Sequence, residues 1–186
     1  MAEIAITTGN RMDSEIRQLT QHDASAYRTL MLDAYARFSD AFTSTAEERQ
    51  AKPLDWWGER IANPDGTSVA FGAFAGGALI GTVGLEFETR AKTRHKSLLF
   101  GMFIEPGHRG MRLGKGLVEA ALDHARTRPG SIVVQLTLTD GNETAQRLYE
   151  SCGFTTFGIE PMGLFSDGVF RSKVHMWRRV DRTETT

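Results

Sequence analysis

The sequence predicts an α/β (α+β) fold around one mixed β-sheet, and three observations carry that reading. Along the 186 residues, apolar runs of strand length alternate with stretches whose apolar residues recur at helical spacing. Two of the strand-like runs meet at Gly76-Gly77, a two-residue hairpin signal that sets an antiparallel pair. The apolar run Leu98–Ile104, of the length and composition of a buried strand, passes through Pro106-Gly107 and glycines at 110, 114 and 116 directly into an amphipathic helix. No stretch repeats another, so residues 14–180 are expected to form one domain, with 1–13 and 181–186 as flexible tails.

In chain order, Ile16–Leu19 reads as a short first strand. Thr20-x-x-Asp23 caps a helix whose stripe is Tyr27, Leu30, Met31, Ala34 and Phe38. Ser44-x-x-Glu47 and Thr45-x-x-Glu48 both offer a second helix start, and Pro53 opens or interrupts a helix with the stripe Leu54, Trp57 and Ile61. Asn63-Pro64-Asp65-Gly66 ends it. Strands Ser68–Ala75, Ala78–Glu88 and Leu98–Ile104 follow, then a helix over Gly114–Arg126 and a strand over Ile132–Leu138. Asp140-Gly141-Asn142 caps a helix that carries Ala145, Leu148, Tyr149 and Cys152 on one face and stops at Gly153. Phe154–Ile159 and Val169–Val180 close the order, separated by Pro161 and Asp167-Gly168.

Composition narrows the classes. A chain with 40% hydrophobic and 24% charged residues is ordinary globular material. A net charge of −1 supplies no field for nucleic acid or an anionic membrane, so neither is expected as a partner. The single Cys152 excludes an internal disulfide and suits a reducing compartment. No apolar run reaches spanning length and Met1–Arg11 lacks the apolar core of a secretion signal, so the expected location is cytoplasmic. The five histidines lack metal-ligand spacing, and no metal is expected.

The chemistry concentrates in Leu99–Gly116. A strand, a glycine-rich turn and a helix N-terminus leave unpaired amides at the positive end of a helix dipole, which suits an anion. A Walker loop fails here, because Arg109 stands where its first glycine belongs and Gly116 follows the lysine. That leaves a P-loop-like nucleotide enzyme as a distant third reading. The dinucleotide fingerprint fails at Glu119. What fits is Arg109-Gly110-Met111-Arg112-Leu113-Gly114, which resembles the Arg/Gln-x-x-Gly-x-Gly/Ala signature of the GNAT superfamily of acyl-CoA-dependent N-acyltransferases. Arg112 departs from that signature, where glycine is usual, and brings a left-handed turn there into question. Asn142 to Phe154 resembles the family block Asn-x-x-Ala-x-x-Leu-Tyr-x-x-x-Gly-Phe, and Phe103-Ile104-Glu105-Pro106 resembles the end of its central strand. The element order agrees with the family over Ile16–Val180.

The resemblance implies a mostly antiparallel sheet of six to seven strands, helices on both faces, and a splayed central strand pair. It implies acetyl-CoA as acyl donor, with pantetheine along the amides of Met102, Phe103 and Ile104. The pyrophosphate would then sit on Arg109, Gly110, Met111, Arg112, Leu113, Gly114 and Lys115. Asn142 and Ala145 would contact the pantetheine arm, and Tyr149 would protonate the leaving thiolate. From spacing alone Tyr149 reads rather as a core tyrosine with its hydroxyl bonded to backbone. The implied reaction is acetyl transfer to a primary amine of a small molecule or a protein, by direct attack in a ternary complex. The alternative is a non-catalytic acyl-CoA sensor on the same fold.

For the base, Glu86 is the preferred candidate, flanked by Leu85 and Phe87 on the strand before the central one. Glu88 shares its face, and both also read as solvent-side residues. Glu105, His95 and His175 are weaker candidates. Phe38, Phe42, Trp56 and Trp57 are expected near the acceptor, with Trp56 favoured because it lies off the helical stripe. The basic run Arg90, Lys92, Arg94, His95 and Lys96 reads as a carboxylate attractant or a solvated edge. A homodimer is also allowed for.

Overall fold

The computed structural model describes residues 14–180; both expected tails, 1–13 and 181–186, lie outside the described residues. Seven strands form one sheet in the order β1-β2-β3-β4-β5-β7-β6: β1 (Ser14–Gln18), β2 (Ser68–Ala75), β3 (Ala78–Phe87), β4 (Lys96–Ile104), β5 (Val133–Thr139), β6 (Thr155–Ser166) and β7 (Val169–Arg179). Only β4 and β5 pair in parallel; every other neighbour is antiparallel. Helices α1 (Ala24–Arg37), α2 (Ala46–Gln50) and α3 (Leu54–Ile61) precede β2, while α4 (Leu113–Thr127) and α5 (Glu143–Ser151) flank β5.

Local chemistry accounts for most boundaries. Thr45, not Ser44, caps α2: its hydroxyl accepts from the Glu48 amide at 3.2 Å, and the Glu48 carboxylate accepts the Thr45 N–H at 3.0 Å. Asp23 takes the Thr20 N–H at 2.8 Å and is held by Arg17 at 2.8 Å, so the turn before α1 is closed by an ion pair. That guanidinium holds the Asp23 carboxyl well below the usual carboxylate range. Gly76 and Gly77 adopt φ of 56° and 81°, the double left-handed pair that a tight hairpin demands.

The alternation of each strand builds two cores. Val83, Leu85 and Phe87 of β3 face α4, where Leu117, Val118, Ala121 and Leu122 are buried, and Cys152 and Phe154 join them. The opposite face packs Tyr27, Met31 and Ala34 of α1 and Trp57 and Ile61 of α3 against Ala70, Phe74 and Phe103. Gly116, read from sequence as part of the anion turn, serves the packing on the α4 face: a Cβ there would stand 2.6 Å from Ile16 Cδ1.

Three expectations need correction. Leu54 belongs to the α3 stripe by spacing but is 50% exposed, because it opens the helix beyond the edge of the core. Leu98 is 42% exposed, so β4 is half-buried at its start rather than sunk on both faces. The strand expected to stop at Ile159 runs on through Pro161 to Ser166. β6 is the outermost strand, where a missing proline N–H costs no ladder bond, and a register shift between Glu160 and Leu164 absorbs the irregularity.

Candidate active site

The site begins where β4 leaves β5. Their pairing covers only Lys96, Ser97 and Leu98, opposite Val133, Val134 and Gln135. Beyond Leu98 the β5-facing edge of β4 therefore has no strand partner. On its other edge β4 stays with β3, Thr82 opposite Phe103 and Gly81 opposite Ile104, after a register shift that leaves Gly101 and Met102 opposite Val83. Gly101 takes φ of 60° at this bulge, a conformation that re-aims the following residues into the opening.

A groove of about 580 Å³ occupies that opening. Its walls include Met102, Phe103 and Ile104 of β4, the Arg109–Gly114 turn with Lys115, and Asn142, Ala145 and Leu148 of α5. Of the expected donor-binding residues, Met111, which is 46% exposed, and Tyr149 stand off the wall.

The turn is anion-shaped despite its missing glycine. Arg112 adopts φ of 63°, the left-handed conformation that its Cβ disfavours, immediately before α4. Gly110 supplies a second positive φ at 82°. No side chain caps α4, so its first-turn amides open towards the groove. Gly114 is where substrate space is set: a Cβ would stand 3.2 Å from both Leu148 Cδ2 and Met102 Cε, two side chains of the groove wall. Arg109 is partly committed, with Nε donating to the Ile104 carbonyl at 3.1 Å and its guanidinium 4.9 Å from the Phe38 ring centre. Lys115 lies 3.7 Å from Glu119.

Asn142 caps α5 by accepting the Ala145 N–H at 3.2 Å, which orders the helix end that presents Ala145 and Leu148. Tyr149, next in the chain, is not on the groove wall. It is 6% exposed, with its ring edge-on to Phe154 at 5.9 Å, and burial pushes its phenol well above the ordinary value. It is therefore a protonated phenol packed against Phe154 and off the groove wall.

The base candidate is displaced. Glu86 is exposed and pairs with Leu98, at the closed end of the β4–β5 pair. Four residues separate it from Thr82 on β3, roughly 13 Å at ~3.3 Å per residue. Alternation puts Glu86 on the solvent side, and the pairing places it at the end of the strand away from the splay. Glu105 lies 3.6 Å from Arg37, and His175 lies 3.0 Å from Glu160; neither lines the groove, nor does His95. Phe38 and Phe42 do line it, whereas Trp57 is core and Trp56 packs edge-on against Trp57 under Arg49 and Arg60. The basic run ends at the start of β4, opposite Val133 and away from the splay.

Sequence reasoning missed a second cavity of about 510 Å³ that shares Phe38, Ala41 and Asn142 with the groove. Its charged lining is Arg37, Asp40, Asp140 and Arg171. Asp140 was visible only as part of a helix cap, and Asp40 and Arg171 carry no motif; the fold alone joins them, at 2.9 Å. Among the described residues no group of three or more His, Cys, Asp or Glu is arranged to hold a metal ion.

A sheet opened at its central parallel pair, with a left-handed turn and an uncapped helix start at the mouth of the opening, suits an acyl-CoA transferase. Residues 30–154 match the Acetyltransferase (GNAT) family, and the chain belongs to it. It is 29% identical over 142 residues to mycothiol acetyltransferase of Thermobispora bispora, covering 75% of this chain and 45% of that protein. It is 30% identical over 83 residues to spermidine N(1)-acetyltransferase of Vibrio cholerae, covering 45% of this chain and 48% of that one. The chain thus spans less than half the length of these curated relatives. Among solved structures, yncA from Salmonella typhimurium with its cofactor acetyl-CoA superposes with a TM-score of 0.77 at 20% identity, covering 94% of this chain and 98% of that one. A ribosomal-protein-alanine N-acetyltransferase from Brucella melitensis gives 0.73 at 23% identity, covering 89% and 99%.

Proposed function

We propose that this protein is an N-acetyltransferase that moves an acetyl group from acetyl-CoA to the primary amine of a small molecule or a protein. One observation carries the reading: the groove between the diverged β4 and β5 ends at the Arg109–Lys115 turn and the uncapped start of α4. A thioester arm fits the unpaired edge of β4, and a pyrophosphate fits the turn amides. Gly114 keeps open the space where the two meet the wall. When bound, acetyl-CoA supplies an activated acyl carbon.

The residues then have definite tasks. An amide on the free edge of β4, among Met102, Phe103 and Ile104, donates to the thioester oxygen as negative charge develops there. The amine nitrogen bonds to the acyl carbon, the carbon–sulfur bond breaks and the thiolate leaves, while the surplus proton of the amine passes to water, which also re-protonates the acid that serves the thiolate. Tyr149 is the proposed donor of the proton that the thiolate takes up; its burial keeps the phenol protonated, and its helix neighbours Ala145 and Leu148 line the groove. A raised phenol is a weaker acid, so the transfer requires a thiolate that is desolvated as well.

Free-thiol release and product mass, measured over a panel of amines with acetyl-CoA, test the reading. Acetylated product with equimolar thiol is expected. Tight acetyl-CoA binding without turnover on any amine would make the chain the sensor instead. Residues 14–180 act as one domain in this reading. No helix among the described residues is long and apolar enough to cross a membrane, and the lone buried Cys152 suits a cytoplasmic location.

The same reading extends to a homodimer. Phe157, Ile159, Phe165 and Phe170 are each more than half exposed on the β6–β7 hairpin, at the open edge of the sheet. A second copy seated there would cover them. Light scattering should give twice the single-chain mass, and Phe165→Glu with Phe170→Glu should return it to the single-chain value. A parent that runs as a monomer at all concentrations rules the dimer out.

A further inference from the structure

We infer that the second cavity binds the acceptor as a cation, that Asp140 holds an ammonium other than the nitrogen that is acetylated, and that the acceptor is an amine without a carboxylate, such as a diamine or polyamine. This rests on the acetyltransferase reading and names its acceptor class.

The cavity shares Phe38, Ala41 and Asn142 with the acyl groove, so a molecule seated in it lies next to the splay. Its floor is held together across the fold. Thr139 Oγ1 donates to the Asp40 carbonyl at 2.6 Å, tying the Ser39–Ala41 turn to the end of β5. The Asp140 N–H donates to the Ser172 carbonyl at 2.9 Å, tying the same end to β7. These backbone ties bring Asp40 and Asp140, a hundred residues apart in the chain, to one cavity.

Charge then decides the ligand. Arg171 lies 2.9 Å from Asp40, and Arg37 lies 2.5 Å from Asp33 and 3.6 Å from Glu105. Both guanidiniums of the lining are therefore matched by carboxylates. The Asp140 carboxylate forms no ion pair among the described residues and is exposed to the cavity. An ammonium meets an unmatched carboxylate there. A carboxylate-bearing acceptor meets no unmatched cation on the lining and would have to break an existing pair.

The test uses the full chain, acetyl-CoA, and four acceptors: 1,4-diaminobutane, spermidine, glycine and L-glutamate. The two carboxylate-free amines should exceed the two amino acids at least tenfold in kcat/KM. Asp140→Asn should lower kcat/KM for 1,4-diaminobutane roughly ten- to hundredfold, the range for losing one charge-assisted hydrogen bond, and mostly through KM. Asp140→Glu should recover part of that loss. Acetyl-CoA affinity by calorimetry and the melting temperature should stay at parental values in both variants, since the Asp140 side chain is off the groove wall and only its backbone is tied. Preference for the amino acids, or a parental kcat/KM in Asp140→Asn, overturns the inference. If the parent binds acetyl-CoA but acetylates none of the four, the acceptor class is wrong while the donor groove stands. If it binds no acetyl-CoA, both fall.

Discussion

Tyr149 and Glu86 are single ionisable side chains that a linear reading can mark, and the fold treats them differently. Tyr149 sits on the helix that supplies part of the groove wall, and burial pushes its phenol well above the ordinary value. Tyr149→Phe keeps the ring against Phe154 and removes only the proton donor. Single-turnover rates should fall about 10²–10⁴-fold if it serves the thiolate, with acetyl-CoA affinity and melting temperature little changed. A parental rate with stability lowered by about 1 kcal/mol would instead mark a core hydrogen bond and end the acid assignment. Glu86 is exposed at the closed end of the β4–β5 pair, so Glu86→Gln should leave the pH–rate profile unchanged. A rate loss that shrinks at high pH, where free amine is abundant, would restore Glu86 as the base. Period-two alternation told which face Glu86 occupies; its distance from the splay depends on which residues of β3 and β4 lie opposite one another, and no local signal reports that.

At the scale of elements, most of what could be read was punctuation. Gly76-Gly77, the Thr45–Glu48 box, the Asn142 cap and Gly153 with φ of 80° are local solutions to local bonding problems, and each stands where the sequence predicts. The continuation of β6 through Pro161 was not legible, because the proline is tolerated only by virtue of β6 being the edge, a fact about sheet order. Arg112 shows the converse: the turn is left-handed without the glycine that would make it easy, held there by the strand before it and the helix after it. Arg112→Gly should therefore raise stability in urea by up to about 1 kcal/mol, as left-handed strain is relieved, less the entropy of a freer unfolded chain. It should also weaken acetyl-CoA binding a few-fold at low salt through loss of a cation at the groove. Loss of stability in this variant would mean that the Arg112 side chain holds the turn by contact.

At the scale of the whole molecule, the donor side and the acceptor side differ in how they are encoded. The donor groove is built from consecutive residues, strand to turn to helix, plus one helix start, so its chemistry can be read along the chain. The cavity proposed for the acceptor is assembled from the end of α1, the 39–41 turn, the end of β5 and the start of β7, and becomes visible only when the sheet is closed. The central claim is that the β4–β5 opening and the Gly114 turn bind acetyl-CoA. Titration of acetyl-CoA into the parent and into Gly114→Val, followed by calorimetry with melting curves alongside, tests it most directly. Valine at 114 extends beyond a Cβ that already meets Leu148 and Met102 at 3.2 Å, both flexible side-chain ends, so the fold should survive while the groove is filled. The account predicts saturable one-to-one binding to the parent and at least tenfold weaker binding to a folded Gly114→Val protein; equal affinity in the two would contradict it.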